Sequence, residues 1–173
     1  MIVVSDSSAL VVLVRIGHGD VLPTLFKQIV IPPEVACELA FPNWPQSVQD
    51  FIAAPPSWLE IRAATSVEPI PYLHAGEAAA ISLAQEIQAD RLIIDEKRGR
   101  KAATERHLPV IGTVGILEAA AERGLLDLEQ AFEKVKQTDF WVRPKFLDER
   151  LALYRARELG REQKRDRGPT LEP

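Results

Sequence analysis

Asp6, Glu38, Glu77 and Asp95 are the residues whose type and position could do chemistry. Asp6 ends the apolar run of MIVVSD, and Asp95 ends RLIID in the same way. Glu77 opens the Ala-rich stretch AGEAAAISLAQEIQA directly after Gly76, and Glu38 lies in PEVACEL, behind the apolar QIVI. Taken singly, each acid has an ordinary explanation. An Asp after a strand caps a helix, a Glu in a first helical turn favours the helix dipole, and Glu38 is a solvated helix residue. Gathered at one edge, the same acids would repel one another and raise one another's pKa values, which costs stability until a cation neutralises them. Carboxylates without thiolates or spaced histidines favour a hard divalent ion such as Mg2+ or Mn2+. The chemistry that follows is metal-assisted attack of water on a phosphodiester. In that reading Asp6 and Asp95 are direct or water-bridged ligands, while Glu38 and Glu77 complete the shell and orient or deprotonate the attacking water.

Lys97, Arg98, Arg100 and Lys101 follow Asp95 at once. Positions 97 and 101 are one helical turn apart and can share a face. Cations beside an acidic metal site suit a polyanionic substrate, gripping flanking phosphates while the metal grips the scissile one. The plainer alternative is a solvated helix face paired with Glu96 and Glu105. Other candidates are weaker. His18, His74 and His107 lack metal-ligand spacing, and His74, shortly before Glu77, reads as a loop residue near the site. The lone Cys37 excludes an internal disulfide and a thiolate cage, and reads as a small buried residue. Trp44, Trp58 and Trp141 read as packing or interface residues, with no aromatic-basic interleaving to signal a single-strand stacking groove. Nucleotide-cradling GxxxxGK[ST] and GxGxxG patterns do not occur.

The elements that must position these acids alternate. IVVS, QIVI, DRLIID and LPVIGT read as strands, WLEIRAA as a weak one, and FWVRP as a small edge strand that Pro144 bars from a sheet centre. Between them lie ALVVLVRI, a helix or buried apolar segment behind candidate N-caps Ser7 and Ser8, and helical stretches: DVLPTLF, PEVACELA, the Ala-rich segment from Ala75 to Ala89, EKRGRKAATERH interrupted by Gly99, VGILEAAAERG closed by Gly124, and LEQAFEKVKQ. Residues 41–56, rich in Pro, read as a loop-bounded short helix at best. Continuously apolar strands alternating with helices predict a parallel sheet covered on both faces. Ligands of such sheets sit beyond the carboxyl ends of the strands, where Asp6, Asp95 and Thr113 would stand.

The chain has 173 residues, 46% of them hydrophobic, enough for one domain over residues 1–150 with a helix end and polar tail at 151–173. The tail cations, Arg155 to Arg167, read as a solvated helix end, and the final residues as frayed. A net charge of −4 gives no global pull on nucleic acid, so an anionic substrate needs a local patch or a metal. The start goes straight into a strand without a basic leader, which makes the cytoplasm the expected location.

Together, VVSDSSAL, VIPPEVACEL, HAGEAAAISLA, RLIIDEKRGRKAA and PVIGTVGILEAA resemble the PIN-domain proteins, and among them a branch of VapC-like toxins. The resemblance runs from about Met1 to about Trp141. It implies a three-layer α/β/α sandwich around a central parallel sheet, and a Mg2+- or Mn2+-dependent ribonuclease site. It places the strand-one acid at Asp6, the helix acid at Glu38, the helix-start acid at Glu77 and the next strand's acid at Asp95. Thr113 corresponds to a supporting Ser or Thr, and Ser8 to a small polar residue after the first acid. Glu34, one turn before Glu38, remains an alternative second acid, and Glu96 stands where an Asp is common. The resemblance further implies a small antitoxin partner and a homodimer. Rival readings are a PIN-like module that binds RNA or a partner without cutting, and a response-regulator receiver. The receiver lacks its acid pair in SDSS, and Asp95 comes too late to be its phosphoacceptor. A haloacid-type phosphatase lacks its second Asp in DSS.

Overall fold

Val3 and Val4 carry no exposed surface, and the same holds for Ile29, Ile31, Leu92 and Ile93. Such continuously buried, mostly β-branched runs fit strands covered on both faces, and they build the sheet of this computed structural model, which describes residues 1–166. Strands β1 (Ile2–Ser5), β2 (Gln28–Ile31), β3 (Leu59–Ile61), β4 (Arg91–Ile93) and β5 (Val110–Ile111) form one sheet in the order β3-β2-β1-β4-β5. Every pairing is parallel, with Val4 opposite Val30 on one side and Leu92 on the other. The weak candidate WLEIRAA is thus the edge strand β3.

The intervening helices are α1 (Ser7–Arg15), α2 (Val21–Phe26), α3 (Pro33–Leu39), α4 (Gln46–Ala53), α5 (Ala75–Glu86), α6 (Lys97–Glu105) and α7 (Thr113–Glu122). Pro33 opens α3, where a missing N–H costs nothing. Gly124, at φ +70°, closes α7: its amide bonds Ala121 O at 2.8 Å and that of Leu125 bonds Ala120 O at 3.0 Å. The chain runs from β1 outward through β2 and β3, then returns to the other flank of β1 for β4 and β5. The direction of winding therefore reverses between β1 and β4, the point where open α/β sheets bind ligands. The acids after those two strands are Asp6 and Asp95. This is the three-layer α/β/α arrangement expected.

Several local expectations are corrected. Asp6, not Ser7 or Ser8, occupies the cap position of α1, and the serines fall in its first turn. Gly99 does not interrupt α6; it lies buried inside it, where a Cβ would come within 2.5 Å of Ile94 Cδ1. FWVRP forms no strand, because Val142 N bonds locally to Phe140 O and Pro144 instead opens a helix. Trp141 is almost fully exposed rather than a packing residue. Cys37 is exposed as well, two positions from each of Val35 and Leu39, which mark the buried face of α3.

The chain divides into two compact units, one covering Met1–Leu126 with the whole sheet, the other beginning at Asp127. The second holds α8 (Leu128–Lys136) and α9 (Pro144–Asp166), capped at α8 by the Asp127 carboxylate, which accepts from Gln130 N at 2.8 Å. Lys136 there bridges Glu133 at 2.6 Å and Asp148 at 2.7 Å, and Arg155 pairs with Glu129. The tail is helical as far as Asp166, and residues 167–173 lie outside the described residues. Among the described residues no helix is long and apolar enough to cross a membrane.

Candidate active site

Asp95 follows β4 and is gripped by the start of α7. Thr113 donates its backbone N–H to Oδ1 at 2.8 Å and its hydroxyl to Oδ2 at 2.6 Å. The approach requires glycine at position 112, where a Cβ would lie 2.6 Å from Asp95 Oδ1 and 2.9 Å from Arg100 Nη1. Arg100 turns inward, donating to Ile94 O at 3.1 Å, and its charge acts on Asp95. Glu77, in the first turn of α5, accepts from His74 N at 3.0 Å through Oε2. Glu38 reaches across from α3 to the same helix start. It accepts from Gly76 N at 3.1 Å and from Ser7 Oγ at 2.5 Å. Here too the close approach depends on glycine, since a Cβ on Gly76 would sit 2.3 Å from Glu38 Oε1 and displace that carboxylate. Of the two candidate glutamates on α3, Glu38 is the one bonded to the other site elements.

Asp6 differs from these three. It is 1% exposed, and its support is slight: a long hydrogen bond from Ser8 Oγ to Oδ2 at 3.3 Å, and the Ala9 amide. Oδ1 is buried without any hydrogen-bond partner. A buried carboxylate oxygen left bare carries a desolvation penalty that folded chains rarely tolerate without a functional reason.

The electrostatics tie the acids together. Burial pushes the Asp6 carboxyl well above the ordinary range, and the charges of Asp95 and Glu77 push it further, against the Ala9 amide and Ser8 hydroxyl. Glu77 is raised by burial and by Glu96 and Glu38, partly offset by the His74 amide. Asp95 is raised by burial even though the two Thr113 bonds and Arg100 act the other way. Thus the edge holds mutually repelling carboxylates from four separate segments. A cleft of about 270 Å³ opens over it, lined by Ser7, Ser8, Glu38, Trp44, His74 and Glu77.

A family model described as PIN domain matches residues 2–156. The chain belongs to the PIN-domain family. No curated protein matches it. Among solved structures it is similar to a PilT N-terminus domain protein, SSO1118, from the hyperthermophilic archaeon Sulfolobus solfataricus P2. The two share 22% identity at a TM-score of 0.50, over 70% of this chain and 95% of that one, a likeness of fold. A PIN domain is a nuclease-type fold, and PIN domains are generally nucleases.

Within this PIN domain the expected residues are only partly gathered. Asp6, Glu77 and Asp95 interact electrostatically, Glu38 joins through Glu77, and Ser8 and Thr113 touch Asp6 and Asp95 respectively. Among the described residues no group of three His, Cys, Asp or Glu side chains is drawn close enough to hold a metal ion outright. The basic quartet is split. Lys97 is exposed, Arg98 lies over the Tyr72 ring, Arg100 supports Asp95, and Lys101 pairs with Glu105 at 3.8 Å. Glu96 caps α6, accepting from Gly99 N at 2.9 Å. Sequence reasoning missed Ser7, Gly76 and Gly112. Their signal was present: each glycine directly precedes a site residue, Glu77 or Thr113. It also missed Trp44 as a cleft wall, which its Nε1 bond to Glu38 O at 2.8 Å holds in place.

Proposed function

We propose that this PIN domain is a Mg2+- or Mn2+-dependent endoribonuclease, the toxin of a toxin–antitoxin pair, held by a small antitoxin protein and self-associating as a homodimer. The observation that carries the nuclease reading is Asp6 Oδ1, buried and unbonded within the field of Asp95 and Glu77. The donor set fits a hard divalent ion. Mg2+ takes one or two carboxylates and keeps several waters, so it does not need a closed protein cage. Asp6 and Asp95 would hold it, directly or through water. When bound, such an ion lowers the pKa of attacking water and neutralises charge at the scissile phosphate.

The remaining work falls to the chain's own side chains. Thr113 fixes both Asp95 oxygens, so that carboxylate enters the reaction already oriented. Glu77 and Glu38 line the cleft and are available to orient a water and take its proton. Burial and the neighbouring carboxylates raise the Glu77 pKa, the direction that makes a carboxylate a stronger base. Lys97 stands at the start of α6, just after Asp95, suited to a flanking phosphate.

Incubation of labelled RNA with Mn2+ and the full chain tests this. The wild type should cut, chelator should stop it, and Asp6→Asn and Asp95→Asn should each abolish cutting while remaining folded. Equal cleavage by all three proteins refutes the reading. RNA binding without any cutting by the wild type would instead support the non-catalytic module.

A further inference from the structure

The loop that leads into α5, the helix of Glu77, and the helix α6 that follows Asp95 build a second cleft, of about 540 Å³, lined by Ile70, Tyr72, Arg98, Lys101, Glu105 and Arg106 among others. Tyr72 precedes His74, which lines the acidic cleft, and Arg98 follows Asp95 by a single turn of chain. The stretch from Tyr72 to His74 therefore runs from the lining of one cleft to that of the other. Tyr72 is 84% exposed, an unusual state for a large aromatic ring, and its backbone sits at φ +68°. Nothing in the core explains its presentation. The Arg98 guanidinium lies over the ring, 5.7 Å from its centroid. Lys101 and Arg106 add positive charge, loosely tied to Glu105 at 3.8 Å and to Glu68 at 3.4 Å.

We propose that this cleft binds single-stranded RNA, with one nucleobase stacked on Tyr72 and the adjoining phosphates held by Arg98 and Lys101. The proposal rests on the ribonuclease reading for the identity of the polymer. A guanidinium over an aromatic face marks a place where a flat, electron-poor group is favoured, and a nucleobase is such a group. On arrival the base replaces Arg98 over the ring, and the released guanidinium pairs with the phosphate beside it. The Lys101 pair is exposed and long, so trading Glu105 for a phosphate loses little. A base-paired strand has no free face to offer Tyr72, so the cleft selects unpaired RNA. The aromatic-basic interleaving that the linear sequence lacks is produced in space, by bringing a loop residue against α6.

The test is fluorescence anisotropy with a short labelled RNA, single-stranded or as a hairpin stem, in Mg2+ and on an Asp6→Asn background so that the RNA stays intact. Tyr72→Ala should weaken single-strand binding by about 5- to 150-fold, the usual range for one stacked base, and leave stem binding unchanged. Tyr72→Trp should restore it and Tyr72→Leu should not. Lys101→Gln should reduce the slope of log affinity against log salt, which Tyr72→Ala leaves alone. Unchanged affinity in Tyr72→Ala, full rescue by leucine, or equal loss on the stem overturns the stack. Tyr72-dependent binding by a wild-type chain that cuts no RNA would keep the stack and remove the nuclease reading. Cutting without Tyr72-dependent binding would do the reverse.

Discussion

Replacing Asp6 by Asn should make the metal-free protein more stable while removing its response to metal. Asp6 sits at 1% exposure with Oδ1 unbonded, and burial, Asp95 and Glu77 all raise its pKa. An acid raised in the folded state binds more protons there than in the unfolded chain. Stability must therefore be highest at low pH and fall as pH rises from about 4, the unfolded value, to the folded one. Asn keeps the shape, carries no charge, and turns an N–H2 toward carboxylates that formerly repelled it. The gain at pH 8 in chelator should be about 1–3 kcal/mol, the cost of one unsatisfied buried polar group. In a chain of this length that is a rise in Tm of about 2–12 °C. The difference should shrink as pH drops toward 4. Adding Mn2+ at about 100 times its Kd should stabilise the wild type by about 2.7 kcal/mol and the variant by much less, closing or inverting the gap. Thermal melts of both proteins, in chelator and in Mn2+ across pH 5–8, carry the whole test. A variant that melts below wild type in chelator at pH 8, or an identical Mn2+ shift in both, would refute the reasoning.

Three further outcomes are expected. Gly76→Ala would put a Cβ 2.3 Å from Glu38 Oε1, but the atom it meets ends a flexible side chain. Denaturant stability should therefore change by no more than about 1 kcal/mol, helped by the helix preference of Ala, while Mn2+-dependent cleavage falls at least about tenfold as Glu38 is displaced. Gly99→Ala meets Ile94, a fully buried side chain, at 2.5 Å, and should cost about 1–3 kcal/mol in urea unfolding. Thr113→Val removes the 2.6 Å hydroxyl bond to Asp95, one of the interactions holding that pKa down. The acidic limb of the pH–rate profile should move to higher pH, and a profile superimposable on wild type would contradict the assigned role.

The sheet could be read in advance because its strands are short, mostly β-branched apolar runs that alternate with helical stretches. The acids were legible for a related reason: Asp6 and Asp95 each terminate such a run, and Glu77 opens an Ala-rich helix. What escaped depended on contacts between distant segments. FWVRP has the composition of an edge strand, yet Pro144 at the head of α9 and the local Val142–Phe140 bond hold it elsewhere. Gly99 carries a helix-breaking propensity of about 1 kcal/mol, outweighed where its missing side chain lets α6 lie against Ile94. Arg100 looked equivalent to its basic neighbours, and only the fold turns it back toward Asp95 while leaving Lys97 outside.

The glycines show how the edge can hold so much negative charge. Gly76 lets Glu38 reach a backbone N–H at the start of α5, and Gly112 lets Asp95 reach the amide and hydroxyl that begin α7. Each carboxylate is thus paid for locally by the positive end of a helix, where unbonded N–H groups favour an anion. Asp6 also stands at a helix start, as the cap of α1, but makes no side-chain capping bond there. The scaffold compensates the acids around it and leaves Asp6 Oδ1 without a hydrogen bond. If the edge were simply a set of capped helices, Asp6 would be satisfied like the rest. Its single uncompensated oxygen, at the point where the sheet reverses direction, is what a site shaped to receive a cation would leave behind.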